Sequence, residues 1–184
     1  VDGRQVVVYG VPEQGRLQHT QLSAPFQSTA TNRWKVAISA PIRSGEQFLG
    51  VVAMTVNLGV FVDFPFDERG RQFAVLVDGR PGDHTGMILQ NPLFDELLEK
   101  QARLPKYFTE PRFHVPLGRF NQGGGSVTFH DPLAQDSAGG EYRKEWVAAK
   151  MPVYLIRRQG GHAESVDTGL VVLVQEDYQA ALDP

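Results

Sequence analysis

The chain contains no cysteine. That excludes a thiol nucleophile, a disulfide frame and thiolate metal sites. It leaves the redox compartment open. No apolar run approaches the roughly 18–20 residues that span a bilayer. No basic run is present and the net charge is only −3, so a nucleic-acid footprint is missing, and so is an acidic tail. The N-terminus carries no signal-peptide pattern. Signatures of catalysis are missing as well. Gly123-Gly124-Gly125-Ser126 has no following Lys and does not lead from a strand into a helix, so it is not a phosphate loop. There is no Gly-x-Ser-x-Gly elbow. The histidines are His19, His84, His114, His130 and His162. None follows another at the two- to four-residue spacing that a helical or hairpin metal site wants. No pair of carboxylates is marked as an acid–base couple. No catalytic residue, metal or cofactor is expected.

What is present is a pattern stated twice. Trp34-Lys35-Val36-Ala37-Ile38-Ser39-Ala40-Pro41-Ile42 is followed by a polar break and then Phe48-Leu49-Gly50-Val51-Val52-Ala53-Met54-Thr55-Val56, running on to Asp63. Trp146-Val147-Ala148-Ala149-Lys150-Met151-Pro152-Val153 is followed by a polar break and then Gly169-Leu170-Val171-Val172-Leu173-Val174-Gln175-Glu176, running on to Asp183. Each copy is a Trp-led strand ending at Pro, a turn, a Gly-led apolar strand and a short tail. A hairpin cannot bury its apolar face alone, so two copies predict two small sheets. With 184 residues and 41% hydrophobic content, the chain is long enough for one ordinary domain or two small ones.

Arg4 to Tyr9 reads as a short strand and Gly10 to Gln21 as loop. Trp34 to Ile42 alternates with period two, which predicts a half-buried strand. Ser44-Gly45-Glu46 is its turn. Phe48, Val52, Met54, Val56 and Leu58 then share one face of the return strand. Gly59 to Phe66 predicts a short helix or turn, and Asp67-Glu68-Arg69-Gly70 a module boundary. Phe73–Asp78 and Gly86–Gln90 predict two further strands. Leu93–Leu104 has helical spacing. Pro105–Gly125 reads as a long irregular connection. Val127–His130 and the second Trp-led hairpin complete the set. The order strand, strand, helix, loop and three strands predicts an α+β fold, with antiparallel sheets of about five strands in a PAS-like arrangement.

Few residues stand out chemically. Asp78, Asp83-His84 and His130-Asp131 read as turn formers and caps. Trp34 and Trp146 each open an apolar strand face. Packing in a core or at its rim is one reading, and the aromatic wall of a ligand pocket is the other. Arg33, Lys35 and Thr55 are polar anchors on the second reading. The two charges are simply solvated on the first.

The stretches Ala24–Ile42 and Phe48–Val56 resemble Cache domains, the extracytoplasmic sensor modules of bacterial receptors. Val75-Leu76-Val77-Asp78 with Gly86–Pro92, then Glu145–Val153, then Gly169–Leu182 resemble successive pieces of a membrane-proximal module of that family. The resemblance covers the chain from about residue 22 onward. Its wording is most similar to double Cache ectodomains attached to planctomycete-type serine/threonine protein kinases. It implies two tandem modules, a reduced membrane-distal one at residues 1–66 and a proximal one at 71–184. It also implies a non-enzymatic sensor outside the inner membrane, cut from a longer protein. Its partners would be a small-molecule ligand, flanking transmembrane helices and a second copy in a homodimer. The candidate ligand residues are Phe26, Ser28, Trp34, Lys35, Ser39 and Thr55. The chain departs from the family pattern in three ways. It lacks the long N-terminal helix. It lacks the Arg, Trp or Tyr run expected between Gly10 and Gln21. Phe26 and Thr55 stand where amino-acid-binding members carry Tyr and Asp. A buried ammonium needs a charged or multiply accepting partner, so amino-acid recognition by that route is not expected. The alternative is a ligand-free dimerisation or partner-docking module. A third reading, an enzyme on a PAS-like fold, would need a nucleophile–base pair or metal around His84 or His130.

Overall fold

The computed structural model describes residues 17–31, 33–58, 71–101, 104–120, 125–159 and 162–182. The expected strand at Arg4–Tyr9, most of the Gly10–Gln21 loop, the turn at Gly59–Phe66, the boundary at Asp67–Gly70, Gly123-Gly124 and Asp183 lie outside them. The chain divides into two compact units. One holds the described residues up to Ala24 together with Val36–Val56. The other holds Pro25–Lys35 with the described residues from Asn57 onward.

β3 (Trp34–Ser44) turns back into β4 (Gln47–Asn57), and both belong to the first unit except for Trp34, Lys35 and Asn57 at their ends. Gly45 has φ 58°, a left-handed value that glycine adopts without a Cβ clash. β1 (Gln21–Leu22) pairs antiparallel with β3, Gln21 opposite Ser39 and Leu22 opposite Ile38. Ser23 extends that ladder. Its N–H donates to the Ala37 carbonyl, and its hydroxyl accepts from the Ala37 N–H, both at 2.8 Å. The strand does not end at Pro41 but runs to Ser44. Nor is one face of β4 buried as the alternation predicts. Leu49 is 58% exposed and Met54, on the opposite face, 60%. Among the described residues of this unit the ribbon is flanked by the two-residue β1 and has no second layer to close over it.

The second unit contains the core. β5 (Gln72–Asp78), β6 (Ile88–Gln90), β7 (Val127–Phe129), β8 (Trp146–Gln159) and β9 (His162–Asp177) form an antiparallel sheet in the order β6-β5-β9-β8-β7. Period two sends Phe73, Val75 and Val77 inward from β5, Leu173 and Gln175 from β9, and Trp146 and Ala148 from β8. Over that face lie α1 (Pro92–Gln101) and 3₁₀ turns at Lys106–Thr109, Pro111–Phe113, Leu117–Arg119, Pro132–Gln135 and Gly140–Tyr142. α1 begins because Asn91 caps it: its Oδ1 accepts from Leu93 N–H at 2.9 Å, and Pro92 takes the first helical position. Leu93, Phe94 and Leu97 then fall on the buried side. This is the expected PAS-like α+β arrangement. The connection read as irregular is instead a chain of 3₁₀ turns, each stopped after three or four residues.

The second hairpin is longer than its sequence suggests. β8 continues through Pro152 to Gln159, and β9 starts at His162, so the segment read as a polar break is paired ribbon. The register shifts between Pro152 and Tyr154. There the Thr168 hydroxyl donates to the Val153 carbonyl at 2.7 Å and accepts from Leu170 N–H at 3.1 Å. Proline's missing donor is tolerated because β7 pairs only as far as Ala148.

Candidate functional site

The two tryptophans occupy matching places in the repeated hairpin and differ in surroundings. Trp146 is 2% exposed. Phe73 meets it edge-on at 4.9 Å, and its indole N–H donates to the Tyr142 carbonyl at 3.3 Å. Trp34 is only half-buried and walls a shallow cleft that opens to solvent and encloses about 10 Å³. Gln27, Phe94, Phe108, Lys106 and Thr109 are among its other walls. β2 (Phe26–Gln27) positions this group, because Gln27 lies opposite Trp34 and Phe26 opposite Lys35. Ser28 N–H donates to the Arg33 carbonyl at 3.0 Å, holding the turn between the strands. Arg33 reaches the Asp95 carboxylate of α1 at 3.7 Å, and Gln90 donates to that carboxylate at 2.9 Å. Ile88, Leu104 and Pro105 complete the lining, so the cleft is mostly apolar, with three aromatic rings and with an amide, a hydroxyl and an ammonium among its walls. Its enclosed part holds about one water, so a larger molecule sits in it only partly.

Phe26, Ser28, Trp34 and Lys35 thus lie along one hairpin, but of these four Trp34 alone is among the residues that line the cleft. Phe26 is 40% exposed, and Ser28 and Lys35 are half-buried. Ser39 and Thr55 belong to the other unit, Ser39 opposite Gln21 and Thr55 exposed on β4. Among the described residues, neither the His84 nor the His130 ring has a hydrogen-bond partner, and no three His, Cys, Asp or Glu side chains form a metal-binding group.

A second polar constellation lies in the core of the larger unit. Gln175, 1% exposed, donates from Nε2 to Asp131 Oδ2 at 2.9 Å. Asp131 Oδ1 accepts from Leu133 N–H at 2.8 Å and caps the 3₁₀ turn that follows. Burial pushes the Asp131 carboxyl above its ordinary range, against those two bonds, which pull it down. The Tyr142 hydroxyl donates to Asn91 Oδ1 at 2.9 Å, and burial, then the Asp131 charge, pushes its ionisation up. Asp131 as a turn cap and Asn91 as a strand stop are legible in sequence. Their convergence is not.

At the far end of β9 the chain passes into α2 (Tyr178–Leu182). Asp177 caps it, accepting from Gln179 N–H at 2.9 Å, while Lys144 donates to its other oxygen. That Lys144 bond, helped by the two backbone N–H groups of the cap, lowers the Asp177 carboxyl against the opposing effect of desolvation.

No family model matches the chain, and no curated protein matches it. Solved structures do. The ligand-binding domain of the Pseudomonas aeruginosa PAO1 amino acid chemoreceptor PctB in complex with L-Arg is 20% identical. It aligns over 89% of this chain and 52% of its own, with a TM-score of 0.46. That of the Pseudomonas fluorescens chemoreceptor CtaA in complex with L-leucine is 18% identical over 90% of this chain and 56% of its own, TM-score 0.47. That of the Pseudomonas aeruginosa PAO1 chemoreceptor PctC in complex with GABA is 18% identical over 91% and 66%, TM-score 0.45. The chain spans little more than half the length of the first two. Among the described residues no helix is long and apolar enough to cross a membrane.

Proposed function

We propose that the chain is the extracytoplasmic, double Cache sensing region of a bacterial transmembrane receptor, with residues 1–66 distal and 71–184 proximal. Its task is to bind a small molecule and pass a conformational signal through the membrane, in the resembled receptors to a serine/threonine kinase. The region itself is non-catalytic. The observation that carries the reading is the contrast between Trp146, sealed in the core, and Trp34, left half-open beside a cleft. A residue kept apolar and aromatic but not packed shut is what a recognition wall requires. The ligand has a flat or branched apolar part for Trp34 and Phe108, and polar groups that stay at the rim near Lys106 and Gln27. The central strand β9 runs straight into α2, which gives a bound state a path out of the sheet.

Fluorescence tests this. Trp34 is the more accessible indole, so a seated compound changes its emission saturably, and Trp34→Phe removes that change. A metabolite collection in which no compound alters the emission, or one that acts equally on Trp34→Phe, overturns the site.

A second reading has its own observation. β4 exposes Leu49, Val51, Val52 and Met54, each at 48% or more. Exposed apolar side chains on both faces of the strand favour a docking or dimerisation surface on the smaller unit.

A further inference from the structure

His114 sits at a seam between two turns of the larger unit. Its Nδ1 lies 3.1 Å from the Thr85 carbonyl oxygen, and its Nε2 lies 3.1 Å from the Thr109 carbonyl oxygen. A carbonyl oxygen only accepts, and a neutral imidazole has one N–H. The other ring nitrogen of the neutral form therefore turns a lone pair toward a second lone pair. Only the doubly protonated ring donates to both. Thr85 belongs to the turn between β5 and β6, and Thr109 closes the 3₁₀ turn Lys106–Thr109. The seam is tight. Val115 N–H donates to the Gly86 carbonyl at 2.7 Å, and a Cβ on Gly86, whose φ is +86°, would stand 2.3 Å from the Val115 carbonyl oxygen.

The other charged or titratable groups here are Arg80, Asp83 and His84 on the first turn, and Lys106, Tyr107, Glu110 and Arg112 on the 3₁₀ segment. Asp136 joins them from the turn packed against that segment. Arg80 is engaged by Asp78 at 2.9 Å and Arg112 by Glu110 at 2.9 Å. Both bonds of the His114 ring go to main-chain oxygens, so its proton count decides whether the seam is fully tied.

We infer that His114 is a proton-operated clasp: its imidazolium ties the Thr85 turn to the Thr109 turn, and loss of one proton releases one of the two bonds. The inference stands apart from the reading of the Trp34 cleft. A bond from a charged donor is worth enough to change local opening by about tenfold. The test is amide hydrogen exchange, resolved by NMR on the whole chain, at about pH 5.5 and about pH 8, either side of the histidine range. After correction for intrinsic chemistry, Gly86 and Val115 should be about tenfold better protected at the lower pH. His114→Gln, with its single amide group, should flatten that difference, and His84→Gln should keep it. Equal protection of the wild type at both pH values overturns the clasp. So does a pH dependence that survives in His114→Gln or vanishes in His84→Gln. If His114→Gln does not fold, His114→Asn takes its place in the same comparison.

Discussion

Asp131 takes its carboxylate into an interior that gives it one backbone N–H and one amide. Burial raises its pKa and disfavours the charged form, so the folded state favours the proton more than the unfolded state does. Stability from such a group is complete below the ordinary carboxylate value and is lost as pH rises through the raised one. Asp131→Asn removes that loss. Its Nδ2 also has a partner waiting, because Gln175 Oε1 has no hydrogen-bond partner among the described residues and the Gln175 amide can turn. Urea midpoints at acid and neutral pH should show the variant gaining on the wild type as pH rises. Parallel curves contradict this. Reading residue by residue finds the pieces: the cap at Asp131, the stop at Asn91, a polar Gln175 on an apolar strand. It does not find the cluster, because Asp131 and Gln175 are 44 positions apart and Asn91 and Tyr142 are 51. Nothing local says that an inward Gln has an Asp to meet.

Among elements, α2 depends most on a single side chain. Its five residues have too few internal bonds to hold a helix, so the Asp177 cap and the Lys144 contact hold its start. The Lys144 bond lowers the Asp177 carboxyl, so its contribution is present above the ordinary carboxylate value and fades as pH falls through the lowered one. Asp177→Ala should cost about 1 kcal/mol of local stability. In exchange experiments the Gln179 and Ala180 amides should lose protection while β9 keeps its own, and unchanged protection there contradicts the cap. β4 carries a different expectation. If its Val52 and Met54 face is a docking surface between copies, light scattering should give a dimer mass for the wild type and a monomer mass for Met54→Lys. A monomer in both removes the dimer reading. The long strands are legible because a run of apolar and β-branched residues is a local signal. Alternate burial itself shows at the Trp146–Ala148 end of β8, whereas β3 is half-buried along most of its length and β5 buries Phe73, Ala74 and Val75 in succession. The outer part of the second hairpin is not legible. Tyr154–Ile156 and His162–Ser165 are exposed on both faces, so no covered face selects for alternation there, and the ribbon is held by main-chain pairing.

At the scale of the molecule, one hairpin plan is used twice with different outcomes. In the larger unit the Trp-led hairpin is closed over by α1 and the 3₁₀ turns, and its tryptophan becomes core. The first hairpin, most of which lies in the smaller unit, has no such cover among the described residues: β3 is mostly half-buried, and β4 keeps apolar side chains exposed on both faces. The duplication and the α+β class are visible in sequence, since both rest on pattern. Which copy is sealed is not, because it depends on the residues that arrive from elsewhere: Phe73, Tyr142 and the turns around Phe108 and Phe113. The central claim is that the unsealed tryptophan marks a place where a small molecule binds. Its most direct test is the melting temperature of the wild type and of Trp34→Ala, measured side by side across one metabolite library. A ligand that binds the folded state raises stability by mass action, about 2.7 kcal/mol at a hundred times its dissociation constant. The account predicts at least one compound that raises the wild-type melting temperature in a saturable way and leaves that of Trp34→Ala unmoved. A library with no stabiliser, or a stabiliser that shifts both proteins equally, would contradict it.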